Sequence, residues 1–298
     1  MEDYIISGMA AGNEIRYVAA YTKGTVETAR ATHDLSPVCT AALGRLLTAG
    51  AMMGAMCKNE TDVLTLRIKG DGPIDSITVT ANAQAEVKGL VRNNHVDIPP
   101  RADGHLDVGG AVGHGILTVI RDEGIGEPYV GQTNLVTGEI AEDITYYYAE
   151  SEQIPTTVGL GVLTGREVPV LQAGGFIIQL LPFASEETIS KLEKSLADFS
   201  SVTDVLNQGK TIEEMIDMLI GKPVYDTDIT IEKKIPTAYK CNCSRERVSK
   251  ALISIGAKEL KSIIDDGKPI NMHCDFCNSD YEFSIEDILS LLENAQPQ

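Results

Sequence analysis

A chain of 298 residues, 43% hydrophobic and 23% charged, has room for one large domain or two ordinary ones with a buried core, which excludes global disorder and any need for disulfide scaffolding. With no Trp and only 5 Phe, aliphatic and Tyr side chains must build that core. Asp and Glu number 43 against 25 Lys and Arg, and a formal charge of -18 repels phosphate backbones and anionic lipid, which counts against nucleic-acid and membrane-surface partners.

The first residues, Met1-Glu2-Asp3-Tyr4, carry no basic run leading into an apolar stretch, so no secretory signal is read and a reducing cytoplasm is the expected location. From about Tyr4 to Leu181 short β-like runs alternate with Gly, Asn, Asp and Pro. Interrupting them, Ser36 can cap a helix with Pro37 in its first turn, and Val38, Ala42, Leu43, Leu46 and Leu47 follow at helical spacing to about Cys57. Its small and thioether residues, Ala49 to Met56, suit close backbone approach; an ordinary buried helix is favoured over a client or dimer contact.

Leu64, Leu66 and Ile68 alternate with Thr65, Arg67 and Lys69, which places three aliphatics on one sheet face, and Gly70-Asp71-Gly72-Pro73 makes a turn. Ile77 to Thr80, Ala85 to Val91, Ile116 to Arg121, Tyr129 to Val136, Val158 to Leu163 and Phe176 to Leu181 read as further strands, too many for a regular α/β nucleotide fold. The uncharged run Val168 to Ser185 holds Pro169, Gly174, Gly175 and Pro182 and reads as strand and turns, not a membrane span. After Pro182 the spacing turns helical over Ser185 to Phe199, Ser201 to Gln208 and Thr211 to Ile220, with Thr211 and Glu214 as a capping box. These helices are short, acidic and marginal unless they pack on something. The expected class is α+β: a β-rich N-terminal domain with packed helices at 1–183, a helical linker at 184–235, and a small C-terminal module at 236–298.

That module holds four of the six cysteines. Cys241-Asn242-Cys243, thirty intervening residues and Cys274-Asp275-Phe276-Cys277 have the spacing of a four-thiolate zinc site, each pair supplying two ligands from a turn. His273 is a weaker candidate ligand, because four sulfurs already close a tetrahedron and leave no position for catalytic water. A module this small has a core worth about 3 to 5 kcal/mol, whereas zinc on thiolates supplies about 10 to 16 kcal/mol, so metal loss is expected to unfold it. Cys-x-Cys departs from the Cys-x-x-Cys of a typical zinc ribbon, and close, partly exposed sulfurs are targets for oxidants. Residues 239–283 hold seven basic and seven acidic side chains, which leaves no basic face for nucleic acid.

With these residues in view the sequence resembles the redox-regulated heat-shock chaperone family of about 33 kDa, the 33 kDa chaperonins, over essentially its whole length. The cysteine pattern carries the resemblance together with Gly70-Asp71-Gly72-Pro73-Ile74, Gly138-Glu139-Ile140-Ala141-Glu142-Asp143 with Tyr146-Tyr147, Ser151-Glu152-Gln153-Ile154-Pro155, and Gly174-Gly175-Phe176-Ile177-Ile178-Gln179. The resemblance implies an ATP-independent holdase, idle when reduced and bound to one zinc ion through Cys241, Cys243, Cys274 and Cys277. It further implies that oxidant pairs Cys241 with Cys243 and Cys274 with Cys277, that the metal is then released and the linker loosens, and that unfolding client proteins are captured under oxidative stress, usually by a homodimer. The acidic surface would keep such a state soluble.

The competing classes are an enzyme with a structural zinc module and a zinc-ribbon RNA-binding protein. Gly109-Gly110-Ala111-Val112-Gly113-His114-Gly115 is glycine-rich but matches neither a dinucleotide fingerprint nor a P-loop. Cys39 or Cys57 with His33, His95, His105 or His114 would make a nucleophile pair, yet the two cysteines fall about 27 Å apart along one apolar helix, where free Cys is normally a small core residue. Glu186-Glu187 and Asp265-Asp266 read as solvated acidic pairs. No catalytic residue is assigned and the chain is read as a non-enzyme.

Overall fold

Residues 2–165 and 169–295 are described by the structure, a computed structural model. The first strands are β1 (Tyr4–Ala10) and β2 (Ile15–Tyr21), followed by helices α1 (Lys23–His33) and α2 (Pro37–Ala55). Next come β3 (Val63–Gly70), β4 (Ser76–Asn82), β5 (Glu86–Val91), the short α3 (Val108–Val112), β6 (Gly115–Asp122), β7 (Tyr129–Asn134), and α4 (Ala141–Tyr147), which runs on into one π turn, Tyr148–Glu152. Strands β8 (Thr156–Thr164) and β9 (Val170–Leu180) precede four helices, α5 (Glu186–Asp198), α6 (Val202–Asn207), α7 (Ile212–Ile220) and α8 (Lys222–Tyr225). The remainder is β10 (Thr230–Pro236), β11 (Ala238–Tyr239), α9 (Arg245–Ser254), α10 (Ala257–Asp266), β12 (Ile270–Cys274), β13 (Ser279–Phe283) and α11 (Ile285–Ala295). The class is α+β, as expected from the sequence. Val168, with which the uncharged run begins, lies outside the described residues; the rest of the run forms β9 and the turn after it.

The chain divides into two compact units between Lys240 and Cys241. In the first, five strands form one sheet in the order β10-β1-β2-β9-β8 and six form another in the order β11-β5-β4-β3-β6-β7. Helix α2 packs between them: residues 38–44 and 46–54 are all buried, in one core with Ile5, Val18 and Ile177 of the first sheet and Leu66, Val79 and Leu117 of the second. The small residues of α2 make this closeness possible. A Cβ on Gly54 would lie 2.6 Å from the carbonyl oxygen of Asn82, and one on Gly50 would lie 2.7 Å from a Val79 methyl. The helix stops at Ala55, so Cys57 falls just beyond it.

The second sheet alternates along β3 and β4, one face on α2 and the other more open, which is the period-2 pattern the sequence displays. The first sheet differs: β2 and β9 are buried on both faces. Its second face carries Ile6, Ile15, Tyr17, Ala19, Phe176 and Ile178, and α5 to α8 cover it with Leu192, Val202, Val205, Leu206, Ile212, Met215, Ile216, Leu219 and Ile220. Each such aliphatic stabilises by about 1.5 to 3 kcal/mol relative to exposure, which is the support that helices of 13, 6, 9 and 4 residues need. Ser185, Ser201 and Thr211 cap α5, α6 and α7, and the Thr211–Glu214 capping box forms as expected.

Within the expected linker, 184–235, the helices end at Tyr225, and 230–236 is a strand, β10, antiparallel to β1. Only Ile231 and Ile235 alternate in it, and nearly all its side chains are exposed, so hydrophobic periodicity carries no signal; main-chain pairing to β1 makes it a strand. Its Lys233, Lys234 and Pro236 are typical of a protected sheet edge. Lys234 donates to Glu213 of α7 at 2.8 Å, and Tyr4 of β1 donates to the same carboxylate at 2.6 Å.

Two of the stretches that carry the family resemblance have architectural work in this unit. Asp143, fully buried, accepts from the backbone N–H groups of Val136, Thr137, Gly138 and Ile140 and so organises the turn into α4. Glu152 pairs with Arg121 at 2.9 Å and accepts from Tyr147 at 2.5 Å, beside Gln153 in the left-handed region at φ 54°.

The second unit is built on α9, α10, the β12–β13 hairpin and α11, around a small core of Leu252, Leu260, Phe283, Ile288 and Leu292.

Gly54→Val is expected to lower stability by about 1 to 3 kcal/mol through overpacking against the backbone of β4, read as a fall in denaturation midpoint. Burial pushes the Glu213 carboxyl up, but hydrogen bonds from Lys234 and Tyr4 outweigh it and hold it below the ordinary carboxylate value. Its stabilising contribution is therefore complete above the unfolded-state value and is lost as pH falls through the lower folded one. Glu213→Gln is expected to cost about 1 kcal/mol near neutral pH and nothing once the wild-type carboxylate is protonated, measured by chemical denaturation across pH.

Candidate metal centre

The four C-terminal cysteines converge from two turns. Ser244 accepts from Arg247 N–H to cap α9, which fixes the chain just after Cys241-Asn242-Cys243. At the tip of the β12–β13 hairpin the N–H groups of Cys277 and Asn278 both donate to the Cys274 carbonyl, and Asn278 takes a positive φ of 54°, so the turn points two thiols the same way. Phe283 anchors the hairpin in the core, with the Arg245 guanidinium 4.3 Å from its ring centroid.

All four sulfurs lie within 4.8 Å of one another, Cys241 to Cys274 at 3.7 Å and Cys243 to Cys277 at 3.3 Å. Those separations are well beyond a disulfide bond of about 2.05 Å. A tetrahedron of sulfurs about 2.3 Å from a common centre has an edge of about 3.8 Å, which the Cys241–Cys274 separation meets and the Cys243–Cys277 separation falls short of. The donor set fits a tetrahedral thiolate-bound ion, and the four are half-buried.

The surroundings tune the thiols unequally. Burial opposes ionisation of Cys277, but hydrogen bonds with Ser279 and Cys243 outweigh it and bring the thiol down to about 6. Burial raises Cys274. The Tyr281 hydroxyl lies 3.1 Å from Cys243 Sγ, and this hydrogen bond pushes the phenol up to about 12. Tyr281 and Phe283 lie two residues apart in β13, and the hydroxyl contacts of Tyr281 and Ser279 with the sulfurs are legible only in three dimensions.

His273 stands outside the sulfur group and pairs with Asp280 at 2.9 Å across the hairpin. Among the described residues no other set of three or more His, Cys, Asp or Glu side chains converges in this way. Cys39 donates to the Asn93 carbonyl and Cys57 to that of Met53, and burial raises both thiols, the opposite of nucleophile activation. His33 bonds Tyr239 at 2.9 Å, His95 lies by Asp34 and His105 by Asp103. The glycine-rich 109–115 stretch is no phosphate cradle, since its N–H groups are occupied: Gly109 by Glu139, Gly110 by Asp107, Gly113 by the Gly109 carbonyl and His114 by Asp71. Glu186, Glu187, Asp265 and Asp266 face solvent.

Comparison with known proteins gives a consistent result. The family model described as Hsp33 protein matches residues 3–284. A 33 kDa chaperonin of Lachnoclostridium phytofermentans is 56% identical over 99% of this chain and 100% of its own length. One of Acetivibrio thermocellus is 47% identical over 100% of this chain and 99% of its own. Among solved structures, the crystal structure of the 33 kDa chaperonin from Thermotoga maritima superposes with a TM-score of 0.88 at 32% identity, covering 99% of both chains.

Exchange of Cys241 and Cys243 for Ser removes half the donors. The double variant is expected to lose at least hundredfold in zinc affinity, measured by metal content after dialysis against a chelator, and the amides of 241–292 are expected to lose their hydrogen-exchange protection. A variant that keeps full metal and a folded second unit overturns the ligand set.

Proposed function

Since the chain belongs to the Hsp33 family of chaperones, which bind unfolded client proteins, we propose that it is an ATP-independent holdase whose activity is governed by the oxidation state of Cys241, Cys243, Cys274 and Cys277. The observation that carries this reading is the convergence of those four thiols in a unit whose own core is five buried side chains. A bound zinc ion would supply the cross-link such a small unit needs, and zinc is favoured over other ions by an all-sulfur tetrahedral donor set.

On this reading peroxide or a related two-electron oxidant converts Cys241 with Cys243, and Cys274 with Cys277, into disulfides. Each bond takes two electrons from a thiolate pair and reduces one peroxide to two waters, with two protons taken up. With its donors consumed the second unit loses its cross-link and unfolds. The segment 184–235, the proposed linker, then loosens from 1–183. Its helices are held chiefly by their fit to the apolar face of the first sheet, so loosening exposes Ile6, Ile15, Tyr17, Phe176 and Ile178 together with the apolar stripes of α5 to α7. Such a surface suits unfolding clients, and the charge of -18 keeps the exposed state soluble. We place this activity in the cytoplasm, in a homodimer when oxidised, without nucleic-acid or membrane partners and without catalysis. The carbonyl-bonded thiols of Cys39, buried, and Cys57, half-buried, support the last point.

The test is suppression of aggregation of a chemically unfolded client by zinc-loaded protein, before and after peroxide at mildly elevated temperature. Oxidised protein is expected to suppress at near-stoichiometric ratio and identically with or without ATP, while reduced protein is idle. Equal activity in both states eliminates the switch.

A further inference from the structure

The segment just before Cys241 closes a free edge of each sheet of the first unit: β10 pairs antiparallel with β1, and β11 pairs parallel with β5. The two closures differ in kind. The β11 closure is specific to its side chains. Thr237, 6% exposed, donates to the Ala85 carbonyl at 2.6 Å, and Tyr239 donates to the Gly89 carbonyl at 2.9 Å while bonded to His33. The β10 closure is mostly main chain. From Thr230 to Lys234 every side chain is exposed, and only Ile235 is partly buried. Where the strand bulges, Gly8 lets the visiting backbone come so near that a Cβ there would lie 1.7 Å from the Thr230 carbonyl oxygen.

The resident strand is also a poor match for the layer beside it. Lys234 stands opposite Ile6, and Ile6 belongs to the apolar face covered by α5 to α8. The Lys234 ammonium lies 4.0 Å from the centroid of the Tyr4 ring and is held by Glu213 of α7. Lys234 is tolerated there because Glu213 of α7 pairs with it; once the helices leave, an apolar side chain gains more at that position than Lys.

We propose that the edge of β1 is the client-docking edge: an extended, apolar polypeptide segment adds to it as an antiparallel strand in the place of β10. The edge reads main-chain hydrogen-bonding groups and so accepts many sequences, while the uncovered face beside it takes the alternate apolar side chains, as in strand-addition recognition generally. Among the described residues, edges β7 and β8 have no further strand partner already in the closed arrangement, so they offer no state-dependent site. The inference rests on the reading that oxidation loosens the 184–235 segment, which carries all but the last residue of β10.

The test uses the full-length oxidised protein and fluorescent peptides spanning residues 229–236. A peptide carrying Lys234→Val is expected to bind about tenfold more tightly than the native sequence, from the area one valine buries opposite Ile6. N-methylation of one alternate set of its residues is expected to weaken binding about tenfold or more, while methylation of the other set, which faces away from β1, is tolerated. Amides of Tyr4–Ala10 should gain hydrogen-exchange protection with the tight peptide. Equal sensitivity to both methylation sets, or no protection in β1, overturns strand addition. If the same preparation still suppresses client aggregation, the holdase reading stands and only the edge is wrong; if it does not, the holdase reading itself has failed.

Discussion

A sheet that is apolar on both faces must be covered twice, and the rest of the first unit follows from that constraint. Strands β2 and β9 bury nearly every side chain, so α2 satisfies one face and the helices from Glu186 to Tyr225 must satisfy the other. Those helices are individually too short to persist in water. Each therefore depends on the other: the sheet needs a cover to stay out of water, and the cover needs the sheet to stay helical. An interaction of this kind is stable when assembled and releases a large apolar surface when the cover is withdrawn, which is a suitable basis for a chaperone with an idle form.

What withdraws the cover is, in the proposed function, chemistry at four sulfurs. The second unit buries few large side chains, and its two cysteine turns come together from segments more than thirty residues apart. A cross-link at that point replaces the hydrophobic core that so short a chain cannot build. Oxidation changes the donors and leaves the rest of the sequence untouched, so the unit's stability can follow the redox state of its surroundings. The covalent path from Cys241 runs through Lys240 and β11, then β10, before it reaches α8 of the cover.

Much of this was legible in the sequence. Alternation located β3, with β4 and β6 read as strands beside it, and Ser36-Pro37 with the following aliphatics located α2, because each of these elements buries one face or is buried throughout and writes a periodic pattern. The four site cysteines were legible because metal-ligand turns impose short fixed spacings. Strand β10 was not. It is held by backbone groups that every residue carries, and its exposed side chains leave no period to read. The contacts of Tyr281 and Ser279 with the sulfurs were equally hidden, since a hydroxyl reaching a thiol across a hairpin has no one-dimensional signature.

By itself the sequence determined the fold class, the two cysteine pairs, the marginal character of the helices after Pro182 and the acidic surface, all of which depend on residue type and local spacing. Only the tertiary structure decided what those helices lie on, which strands end each sheet, and that the four sulfurs lie within 4.8 Å of one another. The physical reason is that hydrophobic burial is non-directional. An amphipathic helix announces that it needs an apolar partner without saying which, and a sheet edge announces nothing, because its bonding groups belong to the backbone.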